Sequence, residues 1–496
     1  MSVATASGAS ASAGVARKPY PMLGLAAFST PGIPLAGMLL ALGLWTPRYY
    51  ITLLVGAGHH TKAEAVAATA LIGLAFFIVR GIDICIDPLL AVAMDRTKTP
   101  IGRYRPWMLL GLPFLMIGLY EVLNPGTNPS IPTLIAWLIF TYLGFSMLTL
   151  GQTAWSSRLA PTYAERPRLF GWTQGLAVIG SVGLLLMPFL TKGAVVPSTA
   201  AGLPKVALML IVAFPVAVLI CTLFTKEGQA PPTPKQRFSA ADYKFAAGRI
   251  WKIVLADLVL TLGPGTTAPM YVYFFHDAKG FNEADVGYLL IFYIGAGLIG
   301  APAWGWVARK FSKHRTVQIA CVFYAITQTI LMAIPHVPKP YNFVPDGLPT
   351  AVGMFAVGFC ASAFVLLIRS MVADVIDEVR LETKRDLTTL LYSMVTTTSK
   401  IGGAITIAIV LPTLAFFGYE GQQGAHNTPQ AIFVLELMYV LVPIALVWFG
   451  GAMLFGYKLD AKRHAEIHEA LMAREYASAE ESMIGPLDEA APAAAE

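Results

Sequence analysis

The chain has 496 residues, of which 56% are hydrophobic and only 13% are charged, with a net charge of +6 and a mean hydropathy of +0.63. An ordinary soluble domain carries about 25% charged residues, so this composition excludes a typical globular protein. Repeated apolar runs of about 20 residues indicate that most of the chain lies in a membrane.

Twelve helices are predicted from these apolar runs and from the turn-rich segments between them. A polar stretch with several prolines divides them into six and six. The predicted regions are an N-terminal tail (1–21), a first half (22–225), a central loop (226–248), a second half (249–457) and a C-terminal tail (458–496). The predicted helices span 22–50, 64–93, 106–123, 131–155, 168–191, 204–225, 249–275, 285–308, 315–335, 350–376, 388–417 and 430–457.

The positions of the basic residues predict the orientation of this all-α membrane protein. Most of the 35 lysine and arginine residues fall in alternate connecting segments, including the central loop and both tails. Because cytoplasmic segments carry the excess of lysine and arginine, both termini are predicted to be cytoplasmic. This orientation explains the net positive charge of the chain, so no nucleic-acid partner is expected.

The second predicted helix places two carboxylates in an otherwise apolar sequence. Asp83 and Asp87 are one helical turn apart, and Arg80 shares their face of the helix. A charge at membrane depth is costly unless it faces a partner or a water-filled cavity, so such residues are functional candidates. Paired carboxylates also tend to share a proton. The pattern favours a cation-coupling site, and the alternative is a structural ion-pair network with Arg80 or Lys400.

Lys400 lies inside the eleventh predicted helix, far enough from both ends that its amine cannot easily reach the membrane surface. A lysine that merely extends to the surface is the alternative interpretation. We expect Lys400 to form a salt bridge with the carboxylate pair and to release it when a carboxylate is protonated.

Several stretches, in the same order along the chain, resemble a single family. They are Asp83-x-x-x-Asp87-Pro88, Asp95-Arg96-Thr97 with Gly102-Arg103-Tyr104-Arg105-Pro106-Trp107, Tyr163-Ala164-Glu165-Arg166-Pro167-Arg168-Leu169, Ser370-Met371-Val372-Ala373-Asp374-Val375-Ile376-Asp377, and Lys400-Ile401-Gly402. The combination resembles the glycoside–pentoside–hexuronide:cation symporter family, the melibiose-permease branch of the major facilitator superfamily. The resemblance covers both halves.

The resemblance implies a carrier of the cell inner membrane that works by alternating access and couples a cation to the uptake of a sugar or glycoside. Asp83 and Asp87 then form the cation site with the hydroxyl of Ser146, and Lys400 lies beside the sugar and cation sites. The coupling ion is H⁺ or Na⁺, with H⁺ favoured. No cofactor is expected, and a sodium ion at Asp83 and Asp87 is the only metal considered.

Further residues are expected to act in gating or in substrate binding. The loop after the second helix acts as a conformational latch in the superfamily, and this role carries to Asp95, Arg96, Gly102 and Arg103. A gating network at the cytoplasmic side is expected from Arg369, Asp374 and Asp377. The substrate or coupling candidates besides Lys400 are Arg80, Thr149, Gln152 and Gln174.

Departures from the family pattern leave open the possibility that the solute is not a sugar. The acidic sugar ligands of helices I and IV are absent here, and Ile86 replaces an asparagine beside the second carboxylate. A non-sugar solute such as an organic acid or an amphiphile is therefore the main alternative, and a non-transporting receptor is a remote one. No motif of an intramembrane enzyme is present in a predicted helix. A small solute and the lipid bilayer are the expected partners, without an obligate protein partner.

Overall fold

The computed structural model describes residues 21–56, 61–126, 129–159, 166–191, 201–225, 240–334, 348–383 and 388–457, with parts of 459–473. The regular structure of these residues is helical, apart from one isolated bridge between Thr99 and Gly102. The predicted N-terminal tail, most of the central loop and most of the C-terminal tail lie outside the described residues.

Each predicted helix overlaps one or more helices of the structure, with ends that differ by several residues. The helices are α1 (Met22–Ser29), α2 (Gly32–Leu40), α3 (Thr46–Val55), α4 (Lys62–Arg96), α5 (Arg105–Leu123), α6 (Ile131–Leu159), α7 (Arg166–Leu185), α8 (Met187–Leu190), α9 (Leu203–Phe224), α10 (Ala240–Tyr273), α11 (Glu283–Phe311), α12 (Lys313–Ala333), α13 (Leu348–Thr383), α14 (Thr388–Phe416) and α15 (Pro429–Met453).

Local sequence explains the main departures from the predicted ends. The first predicted helix is interrupted after Ser29, where Pro31 lacks the N–H that a continuous helix requires, and by a π-helical turn over Ala41–Trp45. A second π-helical turn, Phe274–Ala278, extends α10. At its other end α10 begins at Ala240, so residues 240–248 are helical where the central loop was predicted.

Among the described residues, ten helical stretches are long and apolar enough to cross a membrane, and α14 contains a shorter apolar stretch, Lys400–Phe416. Within the described first half, α5 packs extensively on α6, and α4 also packs on α6. In the second half, α11 packs on α13 and α10 packs on α15. Buried leucine, valine and aromatic side chains between these helices form the core.

The two halves meet mainly where α4 packs along α14, with further contacts of α7 on α11 and of α10 on the first π-helical turn. At Gly73 of α4, an added Cβ would lie 2.9 Å from the Cβ atom of Leu411 on α14. Glycine therefore permits the close approach. Because Gly73 meets Leu411 while Asp87 meets Lys400, the two helices run antiparallel.

Candidate functional site

The carboxylate of Asp83 is buried within the first half. Only 6% of the residue is exposed, and its Oδ1 accepts a 2.7 Å hydrogen bond from the Ser146 hydroxyl on α6. The Arg80 guanidinium, one turn earlier on α4, lies 3.7 Å from Asp83 Oδ2. The Asp83 carboxylate is therefore held between a hydroxyl and a guanidinium.

Asp87 faces the other half of the molecule. The Lys400 amine on α14 donates a hydrogen bond to Asp87 Oδ2, which forms an ion pair between the halves. Asp87 Oδ1 is buried without a hydrogen-bond partner. Pro88, the next residue, has no N–H to donate to the backbone of the preceding turn, so α4 is weakened beside the ion pair.

Arg80 also connects the site to an aromatic side chain. Its guanidinium lies 4.2 Å from the ring centroid of Tyr142 on α6, a distance at which a cation and an aromatic face attract each other. A small cavity of about 10 Å³ separates α4 from α6 here, and Asp83, Ile86 and Tyr142 line it. This volume is close to the minimum that one water molecule needs.

A larger cavity of about 360 Å³ lies between the halves. Its walls come from α2, the first π-helical turn and helices α10 to α15, and none of its lining residues is charged. Gly403 and Ile407 line it and stand three and seven residues after Lys400. These spacings place them on the same face of α14, so the ion pair lies one helical turn from the cavity wall.

Several polar side chains of the cavity wall form hydrogen bonds inside the protein. The hydroxyl of Thr406 donates to Gly402 O at 2.8 Å, and that of Thr267 donates to Pro264 O at 2.7 Å. Tyr271 donates to Val286 O at 2.8 Å. Gln328 differs, because its amide donates to Tyr439 O at 2.9 Å while its buried Oε1 accepts no hydrogen bond.

A second network between the halves was missed by sequence reasoning. Arg48, at 4% exposure on α3, lies 2.8 Å from Asp277 Oδ1 in the second π-helical turn. His276 Nδ1 is 2.6 Å from the same oxygen, and the Tyr419 hydroxyl donates to Asp277 Oδ2 at 2.5 Å. Burial and the neighbouring carboxylate hold the pKa of Tyr419 well above its ordinary value, so its hydroxyl remains a donor at neutral pH.

Further contacts tie the segment after α14 to the first half at this same end of the bundle. The backbone N–H of Gly421 donates to Thr69 Oγ1 on α4 at 3.1 Å, and that of Gln423 donates to Thr52 Oγ1 on α3 at 2.8 Å. Lys62 lies 3.8 Å from Glu420. The halves are therefore joined here by both charged and backbone hydrogen bonds.

The remaining predicted substrate residues do not line the larger cavity. The Gln152 amide donates to Phe28 O at 2.9 Å, which joins α6 to α1. The Thr149 hydroxyl donates to Phe145 O on its own helix, and Gln174 is exposed. The structure thus brings together Asp83, Asp87, Ser146, Arg80 and Lys400 but leaves these three apart from the cavity.

The predicted gating residues occupy two places at the end of the bundle where α4 ends. Gly102 has φ of 122°, a conformation that favours glycine, and Thr99 Oγ1 donates to its carbonyl. Arg96 is exposed, Arg103 is partly buried, and the side chain of Asp95 lies outside the described residues.

On α13, Asp374 is buried and binds the Lys313 amine at 2.6 and 2.7 Å, a partner that sequence reasoning did not identify. Asp377 is partly buried on the same helix, and Arg369 is exposed. The assignment of a gating role to these residues remains a prediction.

A helical bundle whose halves meet around a cavity, with an ion pair between apolar helices beside it, defines a multi-pass membrane carrier. Residues 27–461 match the family described as MFS/sugar transport protein, so the chain belongs to this family. It is a transporter and not an enzyme.

Relatives and solved structures agree with this assignment. The isoprimeverose transporter of Lactiplantibacillus pentosus is 25% identical over 79% of this chain and 82% of its own length. The sodium-dependent lysophosphatidylcholine symporter 1 of Mus musculus is 23% identical over 84% of this chain and 83% of its own length. The crystal structure of a D-xylose-proton symporter shares the fold with a TM-score of 0.60 at 12% identity, covering 88% of this chain and 98% of that one.

Proposed function

We propose that this protein couples the entry of a proton to the uptake of a glycoside or related sugar across the cell inner membrane by alternating access. The single observation that supports this most strongly is the ion pair between Asp87 and Lys400, which connects the two halves beside the cavity. A proton that neutralises Asp87 removes the attraction between the charges and so changes how the halves associate.

The surroundings of the carboxylates favour a proton over sodium. Each carboxylate already has a cationic neighbour, Arg80 for Asp83 and Lys400 for Asp87, and a bound sodium ion would be repelled by it. A hard cation also prefers several oxygen ligands. A proton requires only one free carboxylate oxygen, and Asp87 Oδ1 has no other partner among the described residues.

The orientation follows from the basic residues. With twelve crossings and both termini in the cytoplasm, the Arg48–Asp277 network lies at the outer end of the bundle and Arg96 lies at the cytoplasmic end. The outer end is then the one held closed in this structure. Proton binding at Asp87 and solute binding in the cavity would each favour the same conformation, so each must raise the affinity for the other.

A second candidate is the same mechanism with an amphiphile or an organic acid as solute. The apolar lining of the cavity supports an amphiphile, and Lys400 offers a positive charge for a carboxylate. The similarity to both an isoprimeverose transporter and lysophosphatidylcholine symporters is compatible with either candidate.

The proposal is tested by solute uptake into proteoliposomes across a panel of glycosides, sugars, organic acids and lysolipids, with imposed pH or sodium gradients. A pH gradient should drive accumulation of a glycoside or sugar, and Asp87→Asn and Asp83→Asn should eliminate that accumulation. Glu466→Gln is the matched control, because it removes an exposed carboxylate that pairs with Arg463 outside the membrane-spanning helices. Accumulation by both Asp variants, or uptake driven by sodium at fixed pH, would contradict the proposal.

A further inference from the structure

The larger cavity is poorly matched to a free sugar. A monosaccharide presents a hydroxyl group on nearly every carbon, and each buried hydroxyl requires a hydrogen-bond partner. Here the hydroxyls of Thr267, Thr406 and Tyr271 donate to backbone carbonyls. Apart from Gln328 and the hydroxyls of Tyr293 and Tyr439, the rest of the described lining is apolar. At about 360 Å³ the cavity is nevertheless within the roughly 300–1,000 Å³ range of ligand sites.

Three tyrosine side chains make the cavity suited to a ligand that contains an apolar ring. Tyr271, Tyr293 and Tyr439 contribute to its walls from α10, α11 and α15. Aromatic side chains bury large apolar areas and pack favourably against other rings. One face of Tyr439 is already occupied, because its ring stacks on Phe274 with centroids 3.9 Å apart. The cavity is thus a preformed apolar space with aromatic walls.

Besides the tyrosine hydroxyls, polar groups lie at two places around this space. Gln328 lines the cavity, and its buried Oε1 has no hydrogen-bond partner among the described residues. Lys400 and Asp87 lie one helical turn beyond the wall formed by Gly403. A ligand that satisfies the site therefore needs an apolar body and a polar end.

We infer that the cavity binds the apolar, ring-containing aglycone of a neutral glycoside, with the attached sugar directed toward Lys400 and Asp87. The inference rests on the proposed function, because it specifies the class of solute that the proton-coupled carrier takes. The carrier then discriminates by the aglycone as well as by the sugar.

Replacing either of two glycines by leucine would fill part of the cavity without a clash at Cβ. Gly43, in the first π-helical turn, and Gly403, on α14, both line the cavity, and an added Cβ at either meets nothing within 4 Å. Leucine also favours a helical backbone more than glycine does. Gly183 on α7 has the same open surroundings but does not line the cavity, so Gly183→Leu is the matched control.

The test uses full-length protein in lipid nanodiscs and isothermal titration at fixed pH, without any gradient. The probes are the phenyl β-D-glycosides of glucose, galactose and xylose, each compared with its free sugar. At least one phenyl glycoside should bind about tenfold more tightly than its sugar, a difference that Gly403→Leu and Gly43→Leu should reduce to about threefold or less. Gly183→Leu should retain it.

Equal affinity for glycoside and sugar, no binding of any phenyl glycoside, or a preference unaffected by both cavity-filling variants would overturn the inference. Preferential binding of phenylacetate or of a lysolipid would overturn it as well, because the solute would then be an acid or a charged amphiphile. Failure of the proposed proton coupling would give a different result. The preference for the glycoside would persist in this titration, which uses no gradient, but a pH gradient would not drive accumulation in proteoliposomes.

Discussion

Among the described residues, the ion-pair networks at Arg48–Asp277 and at Lys400–Asp87 both connect the halves of this transporter. They differ in the exposure of their basic side chains and in hydrogen bonding. At Arg48 and Asp277 both side chains are at least 87% buried, with 5% and 13% exposed, and Asp277 has three side-chain partners. At Lys400 and Asp87 the lysine side chain is 36% exposed, and one carboxylate oxygen has no partner. Solvent near Lys400 weakens the attraction between the charges.

This difference indicates which contact can open during transport. Breaking a buried network of charges leaves them without compensation, so such a network holds one conformation firmly. A pair whose lysine is partly exposed contributes less to stability, and its carboxylate can exchange the lysine for a proton. We therefore propose that Asp87 and Lys400 couple the proton, and that Arg48 and Asp277 close one end of the bundle.

The largest expected effect concerns stability at the buried network. Arg48→Met should lower the free energy of unfolding by about 3–5 kcal/mol, because it leaves the Asp277 carboxylate buried without its cation. Denaturant unfolding in detergent measures this change. The double variant Arg48→Met/Asp277→Leu should recover most of the loss. A decrease below about 1 kcal/mol in the single variant would show that this network is no more stable than the other.

Removal of the hydrogen bond to Asp83 should have an intermediate effect. A hydrogen bond to a charged group contributes about 1.5–3 kcal/mol, and the Ser146 hydroxyl donates one to Asp83 Oδ1. Ser146→Ala leaves this oxygen without its donor, so we expect pH-driven accumulation in proteoliposomes to fall about tenfold. Ser156→Ala, which removes a hydroxyl bonded to Thr153 O on the same helix, is the control. Unchanged accumulation in Ser146→Ala would show that this hydrogen bond is not needed for coupling.

A smaller effect on stability is expected at the partly exposed pair. Lys400→Met/Asp87→Asn removes both charges and should change the free energy of unfolding by only about 0–1 kcal/mol. Unfolding in the same detergent allows direct comparison with the Arg48 variants. If the double variant is destabilised as strongly as Arg48→Met, the proposed division between an opening and a closing contact is wrong.

The smallest effect is expected at the surface. Lys62 is 51% exposed and 3.8 Å from Glu420, so Lys62→Met should alter stability by less than about 0.5 kcal/mol. Uptake rates should also remain as in the unmodified protein. A large decrease in uptake would indicate that the exposed pair takes part in closing this end of the bundle.

Hydropathy was sufficient to predict an all-helical membrane protein, because apolar runs of membrane length are visible in a single sequence. Hydropathy and charge were also sufficient to single out Asp83, Asp87 and Lys400, since charged residues are rare in such runs. Ser146 needed the family resemblance, because it approaches Asp83 only through the packing of α6 on α4.

The Arg48 network could not be predicted in the same way. Its residues come from α3, the second π-helical turn and the segment after α14, and each lies near the end of a helix, where charged residues are common. The cavity was missed for a related reason. Its aliphatic, glycine and tyrosine residues have the composition of ordinary helix packing, and only the three-dimensional structure shows that space remains between them.

Solute-driven proton movement tests the central claim most directly. Purified protein is reconstituted into vesicles that contain a pH-sensitive dye, and an inward gradient of the transported glycoside is imposed at equal internal and external pH. We predict that the unmodified protein and Asp277→Asn acidify the vesicle interior, whereas Asp87→Asn does not. Acidification by Asp87→Asn equal to that of the unmodified protein would contradict the assignment of proton coupling to the contact between Asp87 and Lys400.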